Sequence, residues 1–375
     1  MKFTIETRIL KEALSQVNHA TATITTTPIL ENILIKVNFA SIIFLSNNLE
    51  MAIEHVVKDG IKIENEGNFS LPSKIFTNYV SLIGDDEVSI ELLNDSSVSI
   101  KTDSSQIKIK GIDAADFPII PAIKEVNSFE VSGRVLKKGF DKTLFSAAEG
   151  NIRPTLAGIY LSISGNDLAL ASTDSFRLSE FKTTISSENS EFNLIIPGKT
   201  AFEISKIITG DEKVKVITGE NQIAFLIGNT KIYSRLLNGK FPDYKNFFPN
   251  KYSTKAVMNK YDLIQALKKI NLISRENNYS IKISFSSETG ILIETNETQI
   301  GEGKISLVGS VEGEDNIIGL NSTYFLESLG VIETNYVSVS FENPLSPVLI
   351  LPTFDEDEEK LKSGEFRHII MPLKI

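Results

Sequence analysis

The sequence predicts an α+β fold made of three similar domains, each with two helices packed on a strand-rich sheet. Three observations support this prediction. A fixed order of segments recurs three times at a spacing of about 125 residues. Each copy contains two segments whose apolar residues repeat at helical spacing. Alternating apolar and polar residues, typical of half-buried strands, lie between the helical segments.

The first element of each repeat is a strand that leads into an amphipathic helix. It occupies residues 3–17, 129–148 and 256–275. The copies are offset by 126 and 127 residues. Apolar side chains four positions apart, such as Leu10 and Leu14, give each segment one apolar face, which is typical of a helix on a sheet.

The second element is a short apolar strand that runs into another helix and then into an alternating strand. The strand-to-helix junctions lie at 69–74, 194–199 and 317–322. Their offsets of 125 and 123 residues match the period of the first element. Alternating strands follow at 88–92, 214–216 and 337–341. Two independent elements with one period predict a true internal repeat.

Phe-Pro pairs close the first two repeats. Phe117-Pro118 and Phe241-Pro242 lie 124 residues apart, and proline biases the preceding residue towards extended linker geometry. We therefore place domain boundaries near residues 125 and 250. This gives domains of 1–125, 126–250 and 251–375 in the chain of 375 residues.

Composition excludes several classes of site. The chain contains no cysteine, so disulfides, thiolate zinc sites, iron–sulfur clusters and cysteine nucleophiles are excluded. His19, His55 and His368 lie far apart without metal-ligand spacing, so no metal or other cofactor is expected. No segment approaches the roughly 18 uncharged apolar residues of a membrane span, and the first residues lack a signal-peptide pattern. A cytoplasmic protein without membrane contact is expected.

Charge is distributed unevenly between the helices and the rest of the chain. The net charge of −10, taken alone, argues against an exposed nucleic-acid surface. Six predicted helix windows nevertheless hold thirteen basic and five acidic residues: 7–18, 72–83, 134–148, 197–208, 260–275 and 321–332. The windows carry +8 and the remainder −18, a division expected where one face meets a polyanion. Ordinary solvated helix faces are the alternative, and the last window, at −1, departs from the pattern.

Two segments bear on an enzymatic function. Residues 197–200, Pro-Gly-Lys-Thr, look like the end of a phosphate-binding loop, but Asn193 stands where that loop needs a glycine. The acidic run Asp355–Glu359 could attract Mg²⁺, yet it lacks the interleaved turn residues of a cation-binding loop. The chain is therefore expected not to be an enzyme. A repeat scaffold or a carbohydrate-binding β protein is the other alternative, and it predicts exposed aromatic residues and no basic helical face.

Six short segments carry a resemblance to a known family. They are Met1–Glu6, Pro28–Leu34, Ala114–Pro118, Thr173–Leu178, Gly239–Tyr244 and Met371–Ile375. In order, spacing and position they resemble the bacterial sliding clamps, the β subunits of the replicative DNA polymerase, along essentially the whole chain. The resemblance implies a head-to-tail homodimer of six similar domains that closes into a ring. The ring would enclose double-stranded DNA without sequence preference and act as a processivity factor.

The resemblance also implies a peptide-binding cleft between the second and third domains for the replicative polymerase, the clamp loader and other proteins with clamp-binding motifs. Its residues would be Leu156, Thr173, Phe176, Arg177, Leu178, Pro242, Phe247, Asn321, Tyr324, Pro347, Ile369, Met371, Pro372 and Leu373. Ser175-Phe176 replaces the commoner Gly-His, and Lys374-Ile375 replaces the commoner Arg-Leu. Ordinary interface packing is the alternative for Leu178, Pro242 and Met371.

Two further sets of residues follow from the basic helices and the resemblance. The DNA-facing charges would be Lys11, Lys74, Arg134, Lys137, Lys138, Arg153, Lys199 and Lys206. The dimer interface would place Ile107 and Ile109 of one subunit against Leu272 and Ile273 of the other. The five terminal residues, Met371–Ile375, are expected to bind partners, with completion of the domain core as the alternative.

Overall fold

A computed structural model describes residues 1–94, 96–150, 152–185, 190–354 and 364–374. The acidic run at 355–359 and Ile375 lie outside the described residues. Within these described residues, one order of elements, with two helices among eight or nine strands, occurs three times along the chain. The predicted α+β fold with three repeats is confirmed.

The N-terminal repeat contains nine strands and two helices. Its strands are β1 (Lys2–Glu6), β2 (Asn32–Asn38), β3 (Ser41–Asn47), β4 (Met51–Val57), β5 (Ile61–Asn65), β6 (Gly67–Pro72), β7 (Glu87–Leu92), β8 (Ser97–Lys101) and β9 (Gln106–Lys110). Its helices are α1 (Thr7–Val17) and α2 (Ser73–Leu82).

The central repeat contains eight strands and two helices. Its strands are β10 (Asn127–Ser132), β11 (Gly158–Gly165), β12 (Asp167–Thr173), β13 (Arg177–Thr184), β14 (Ser190–Pro197), β15 (Lys213–Thr218), β16 (Gln222–Ile227) and β17 (Thr230–Arg235). Its helices are α3 (Gly133–Thr143) and α4 (Gly198–Ile207).

The C-terminal repeat contains nine strands and two helices. Its strands are β18 (Thr254–Asn259), β19 (Ser280–Ser286), β20 (Gly290–Glu294), β21 (Lys304–Leu307), β22 (Gly309–Gly313), β23 (Asn316–Asn321), β24 (Tyr336–Phe341), β25 (Val348–Thr353) and β26 (Glu365–Ile370). Its helices are α5 (Lys260–Ser274) and α6 (Ser322–Gly330).

The helices form where the predicted apolar spacing places them. In α1, Leu10, Leu14 and Val17 are buried on one face, as the spacing of four predicts. Helix α3 is shorter than its predicted window, because the chain turns into a short 3-10 helix after Thr143. None of the helices in the part of the chain described here is long and apolar enough to cross a membrane.

The chain forms two compact units, and the central repeat contributes to both. The first unit comprises residues 1–134 and 206–236. It holds a five-stranded sheet in the order β5-β1-β7-β8-β9 and an eight-stranded sheet in the order β10-β15-β16-β17-β4-β3-β2-β6. In the larger sheet β4 of the N-terminal repeat pairs antiparallel with β17 of the central repeat, which places Thr230 opposite His55.

The second unit comprises residues 135–205 and 237–375. It holds a nine-stranded sheet in the order β14-β11-β12-β13-β26-β25-β24-β18-β22 and a four-stranded sheet in the order β21-β20-β19-β23. In the larger sheet β13 of the central repeat pairs antiparallel with β26 of the C-terminal repeat. A shared sheet therefore joins neighbouring repeats in each unit. Strands β9 and β21 end their sheets among the described residues.

Candidate peptide cleft and nucleic-acid interface

Part of the predicted cleft is an apolar cluster in the second unit. The cluster consists of Leu156, Ala171, Leu178, Ile195, Phe241, Tyr244, Phe248 and Ile369. Three predicted cleft residues, Leu156, Leu178 and Ile369, are buried within it. They therefore belong to the domain core, and the other predicted cleft residues are described below.

The turn between β12 and β13 exposes Phe176, one of the predicted cleft residues. Thr173 Oγ1 accepts a hydrogen bond from the Ser175 amide at 3.0 Å. Asp174 Oδ1 accepts bonds from the amides of Phe176 and Arg177 at 2.9 and 3.0 Å. Ser175 has a φ of 83°, in the left-handed region that glycine adopts most easily. These bonds hold a turn that leaves Phe176 60% exposed.

Arg177 is buried and already paired within the chain. Its Nε donates to Asp174 Oδ2 at 2.9 Å, and its Nη1 donates to Glu327 on α6. Its guanidinium lies 4.3 Å from the centre of the Tyr324 ring, a cation–π contact. Arg177 thus joins the β12–β13 turn to α6 and fixes the position of Tyr324. Burial, as the largest cause, raises the pKa of the Tyr324 hydroxyl.

After β26 ends, the C-terminal segment is bonded through its backbone to the β12–β13 turn and to β23. The Met371 amide donates to the Phe176 carbonyl at 2.8 Å, and the Leu373 amide donates to the Gly319 carbonyl at 2.9 Å. Met371 is 41% exposed, and Pro372 and Leu373 are half-buried. Ile369 and Ile370 therefore belong to the core, whereas the next residues are partly exposed.

The remaining predicted cleft residues lie on three other segments. Pro242 and Phe247 are exposed in the segment after β17. Pro347 is half-buried just before β25. The side chain of Asn321 accepts bonds from the amides of Thr323 and Tyr324 at 2.9 and 3.2 Å, so it caps α6. We infer that Asn321 acts chiefly through the position of this helix.

A buried carboxylate is bonded to the apolar cluster, and no local sequence pattern indicated it. Glu180 on β13 is fully buried. It accepts a bond from the Tyr244 hydroxyl at 2.8 Å and another from Arg367 Nε. Lys182 Nζ lies 3.3 Å from its second oxygen. Burial, followed by the charge of Glu180, raises the pKa of Tyr244, so this hydroxyl stays protonated and donates.

His368 lies beside this network and remains neutral. Its Nδ1 lies 2.8 Å from Ser179 Oγ, which in turn bonds Ser146 at 2.7 Å. Burial lowers the pKa of His368 to about 3. The expectation that the histidines have structural environments fits His368 and also His55, whose Nδ1 lies 2.8 Å from Thr230 Oγ1. Among the described residues, no group of three histidine or acidic side chains could hold a metal ion.

The residues that resemble a phosphate-binding loop form a junction between a strand and a helix. Strand β14 ends at Pro197 and α4 begins at Gly198. The Gly198 amide donates to the Ala157 carbonyl at 3.0 Å, so it is not available to a phosphate.

The predicted DNA-facing charges divide into exposed and structural residues. Lys74, Arg134, Arg153, Lys199 and Lys206 are exposed. Arg134 pairs with Asp211 at 2.6 Å, and Arg153 donates to Ser175 Oγ at 2.6 Å. Exposure leaves all five able to meet a polyanion.

Three of the predicted charges instead serve the fold. Lys11 Nζ donates to the Ile83 carbonyl at 2.8 Å, and Lys137 Nζ donates to the Ser205 carbonyl. Both acceptors lie at the C-terminal end of a helix, where carbonyls lack partners and a positive charge is favourable. Lys138 pairs with Glu333 at 2.6 Å and is mostly buried. Their assignment as DNA-facing residues stays a prediction.

The predicted dimer residues differ in exposure. Leu272 is 75% exposed, Ile107 and Ile273 are half-buried, and Ile109 is 5% exposed. Ile109 points into its own domain, which corrects the expectation that both isoleucines of β9 are edge contacts. Two further apolar residues, Ile75 and Leu82, are exposed on α2 and were not among the predicted contacts. Their spacing of seven residues, about two helical turns, is the sequence pattern that indicates an apolar stripe on one face of this helix.

Comparisons with known proteins agree with this geometry. Family models of the DNA polymerase III beta subunit match residues 1–121 (N-terminal domain), 130–243 (central domain) and 245–364 (C-terminal domain). The chain is similar to the beta sliding clamp of Bacillus subtilis (strain 168), with 30% identity over 366 residues that cover 95% of this chain and 97% of that protein. A beta sliding clamp of Staphylococcus epidermidis is 30% identical over 372 residues, which cover 96% and 98%. The crystal structure of the DNA polymerase sliding clamp from Bacillus subtilis gives a TM-score of 0.93 at 28% identity and covers 100% of this chain and 99% of that one.

Proposed function

The chain belongs to the DNA polymerase III beta subunit family, and on this premise we propose that two copies close head to tail into a ring around double-stranded DNA. The protein is a sliding clamp of DNA replication, and the ring would tether the replicative polymerase to its template. Enclosure needs neither a catalytic group nor a cofactor. Membership of this family favours the clamp function over the scaffold and carbohydrate-binding alternatives. We also propose a cytoplasmic location, because the role is played on DNA.

The observation that carries this proposal is the way repeats share sheets. At the first junction Glu54 on β4 lies opposite Lys231 on β17, and their charged atoms are 3.4 Å apart. At the second junction Glu180 on β13 lies opposite Arg367 on β26, and the two side chains are paired. In both cases the last of three consecutive antiparallel strands, β2-β3-β4 or β11-β12-β13, pairs with the last strand of the next repeat.

The same rule leaves one edge strand in the N-terminal repeat and one in the C-terminal repeat without a partner strand from a neighbouring repeat among the described residues. Strand β21 holds the position of β4 and β13, and β9 holds the position of β17 and β26. Antiparallel pairing of β21 with β9 of a second copy would satisfy both edges. By the register of the repeats, Lys304 occupies the position equivalent to Glu54 and Glu180. Gln106 occupies the position equivalent to Lys231 and Arg367. We therefore expect Lys304 of one subunit opposite Gln106 of the other.

Two surfaces would then serve the ring. The exposed charges Lys74, Arg153, Lys199 and Lys206 would make loose, sequence-independent contacts with phosphates. The rim formed by Phe176, Phe247 and Met371 would hold short peptides of the polymerase, the clamp loader and other partners, since an apolar floor with a few polar groups suits such ligands.

Cysteine cross-linking tests ring closure directly, because the natural chain has no cysteine. Opposite residues of antiparallel strands lie within disulfide reach. Mild oxidation of the Gln106→Cys, Lys304→Cys chain should give a covalent dimer of twice the 41.5 kDa chain mass, closed by two bonds. Each single substitution is the matched control and should give none. A ladder of trimers and longer chains, or no cross-link, would contradict head-to-tail closure.

A further inference from the structure

A second apolar groove lies in the first unit. Its lining includes Leu49, Met51, Pro118, Ile119, Ile120 and Tyr233, and it is open to solvent. Ile119 is 90% exposed at its rim. Single exposed apolar residues are ordinary, but a groove lined chiefly by apolar side chains indicates a binding surface.

The turn at this groove repeats the turn that presents Phe176 in the cleft. Asn47 Oδ1 accepts a bond from the Leu49 amide at 2.8 Å, as Thr173 Oγ1 does from the Ser175 amide. Leu49 has a φ of 73° and Ser175 has a φ of 83°. A leucine in the left-handed region is uncommon, so the turn conformation is maintained there against a side-chain preference.

The backbone hydrogen bond that the next repeat's last strand makes to this turn is repeated as well. The Arg235 amide donates to the Glu50 carbonyl at 3.0 Å, just as the Met371 amide donates to the Phe176 carbonyl. Pro118 occupies the place in its Phe-Pro pair that Pro242 occupies at the cleft. The groove is therefore built on the same backbone frame as the cleft, one repeat earlier.

The side chains on this frame indicate what the groove can bind. Met51 replaces Arg177, so the lining gains a flexible apolar side chain that adapts to different anchors. Glu50 and Arg235 are the charged lining residues, one of each sign. A lining with balanced charge gives no attraction for a polyanion, so nucleic acid is not the ligand.

We propose that this groove is a second docking site for a short, extended peptide with two or three apolar anchor side chains and little net charge. The inference rests on the proposed function, in which the equivalent cleft binds peptides of the replication machinery. Two kinds of site on one subunit would let two partners remain on the ring together, because neither would have to displace the other.

Methionine NMR separates the two sites in the full-length chain. The chain has four methionines, of which Met51 lines the groove and Met371 lines the cleft. Met258 is buried in the core of the C-terminal repeat and serves as an internal control. The dimer is labelled with ¹³C-methyl methionine, and the four signals are assigned with single Met→Leu variants. The probe is the capped hexapeptide Ser-Leu-Thr-Phe-Leu-Ser, with a version in which alanine replaces its apolar residues as the control peptide.

Saturable shifts of both Met51 and Met371, without a shift of Met258, are the expected result. Ile119→Glu should weaken the Met51 response at least about tenfold, which corresponds to about 1.4 kcal/mol, and leave the Met371 response intact. Phe247→Glu should weaken the Met371 response and leave the Met51 response intact. A shift of Met371 alone would overturn the groove and leave the cleft standing. A shift of Met51 alone would remove the cleft from the proposed function, and silence at both would refute both sites.

Discussion

Replacing Leu272 with aspartate should convert the dimer into a folded monomer. Leu272 is 75% exposed in the single chain, so the substitution should cost the fold little. A carboxylate buried without a partner at the subunit contact should cost several kcal/mol, which raises the dimer dissociation constant roughly a thousandfold or more. Light scattering across a dilution series measures this constant, and thermal unfolding of the same samples checks the fold.

Leu345→Asp is the matched control for this substitution. Leu345 is similarly exposed in the same repeat but lies in the loop between β24 and β25, away from β21. This variant should remain dimeric. Ile75→Asp and Leu82→Asp on α2 should weaken the dimer if the exposed face of that helix joins the contact. A Leu272→Asp protein that remains dimeric at nanomolar concentration would remove α5 from the interface.

Deletion of residues 371–375 should abolish peptide binding at the cleft while the ring remains folded. The rim loses Met371 and the Leu373 backbone bond to Gly319, but Ile369 and Ile370 remain in the core. We expect peptide affinity to fall at least about a hundredfold, or about 2.8 kcal/mol. The melting temperature should fall by only a few degrees, because about 1 kcal/mol corresponds to about 2–4 °C in domains of this size class.

A shorter deletion gives the control for the C-terminal segment. Removing only residues 374–375 leaves the two backbone bonds of Met371 and Leu373 in place. It should retain most of the affinity. Collapse of the longer deletion, seen as a large loss of melting temperature, would support the alternative in which the segment completes the core. Intact peptide affinity would also defeat the partner-binding role.

Much of the fold could be predicted from the sequence because the repeats reinforce one another. The helix around Leu10 and Leu14 has an apolar spacing that its counterparts share, so three weak signals support one element. The sharing of sheets between repeats could not be predicted. The pairing of Thr230 with His55 joins residues 175 positions apart, and no local pattern specifies which edge strands meet.

Candidate site residues could be predicted from the sequence where residue type alone indicates that a side chain will be exposed. Phe176 and Met371, two residues of the predicted cleft, are exposed and therefore accessible to a partner. The structural roles of Lys11 and Lys137 were not predictable, because a lysine that caps a distant helix end has the same sequence signal as a solvated one. Glu180 was missed for a related reason. Its burial depends on Tyr244 and Arg367, which meet it only in the folded chain.

Retention on circular DNA tests the central claim most directly. Subunits dissociated by dilution are allowed to reassociate with nicked circular DNA, and the Gln106→Cys, Lys304→Cys chain is then closed by oxidation. Enclosed rings should remain on the circle at about 1 M salt, where direct phosphate contacts are screened, and should leave once a restriction enzyme linearises the DNA. Equal loss from circular and linear DNA as salt rises would contradict enclosure and reduce the interaction to ordinary electrostatic binding.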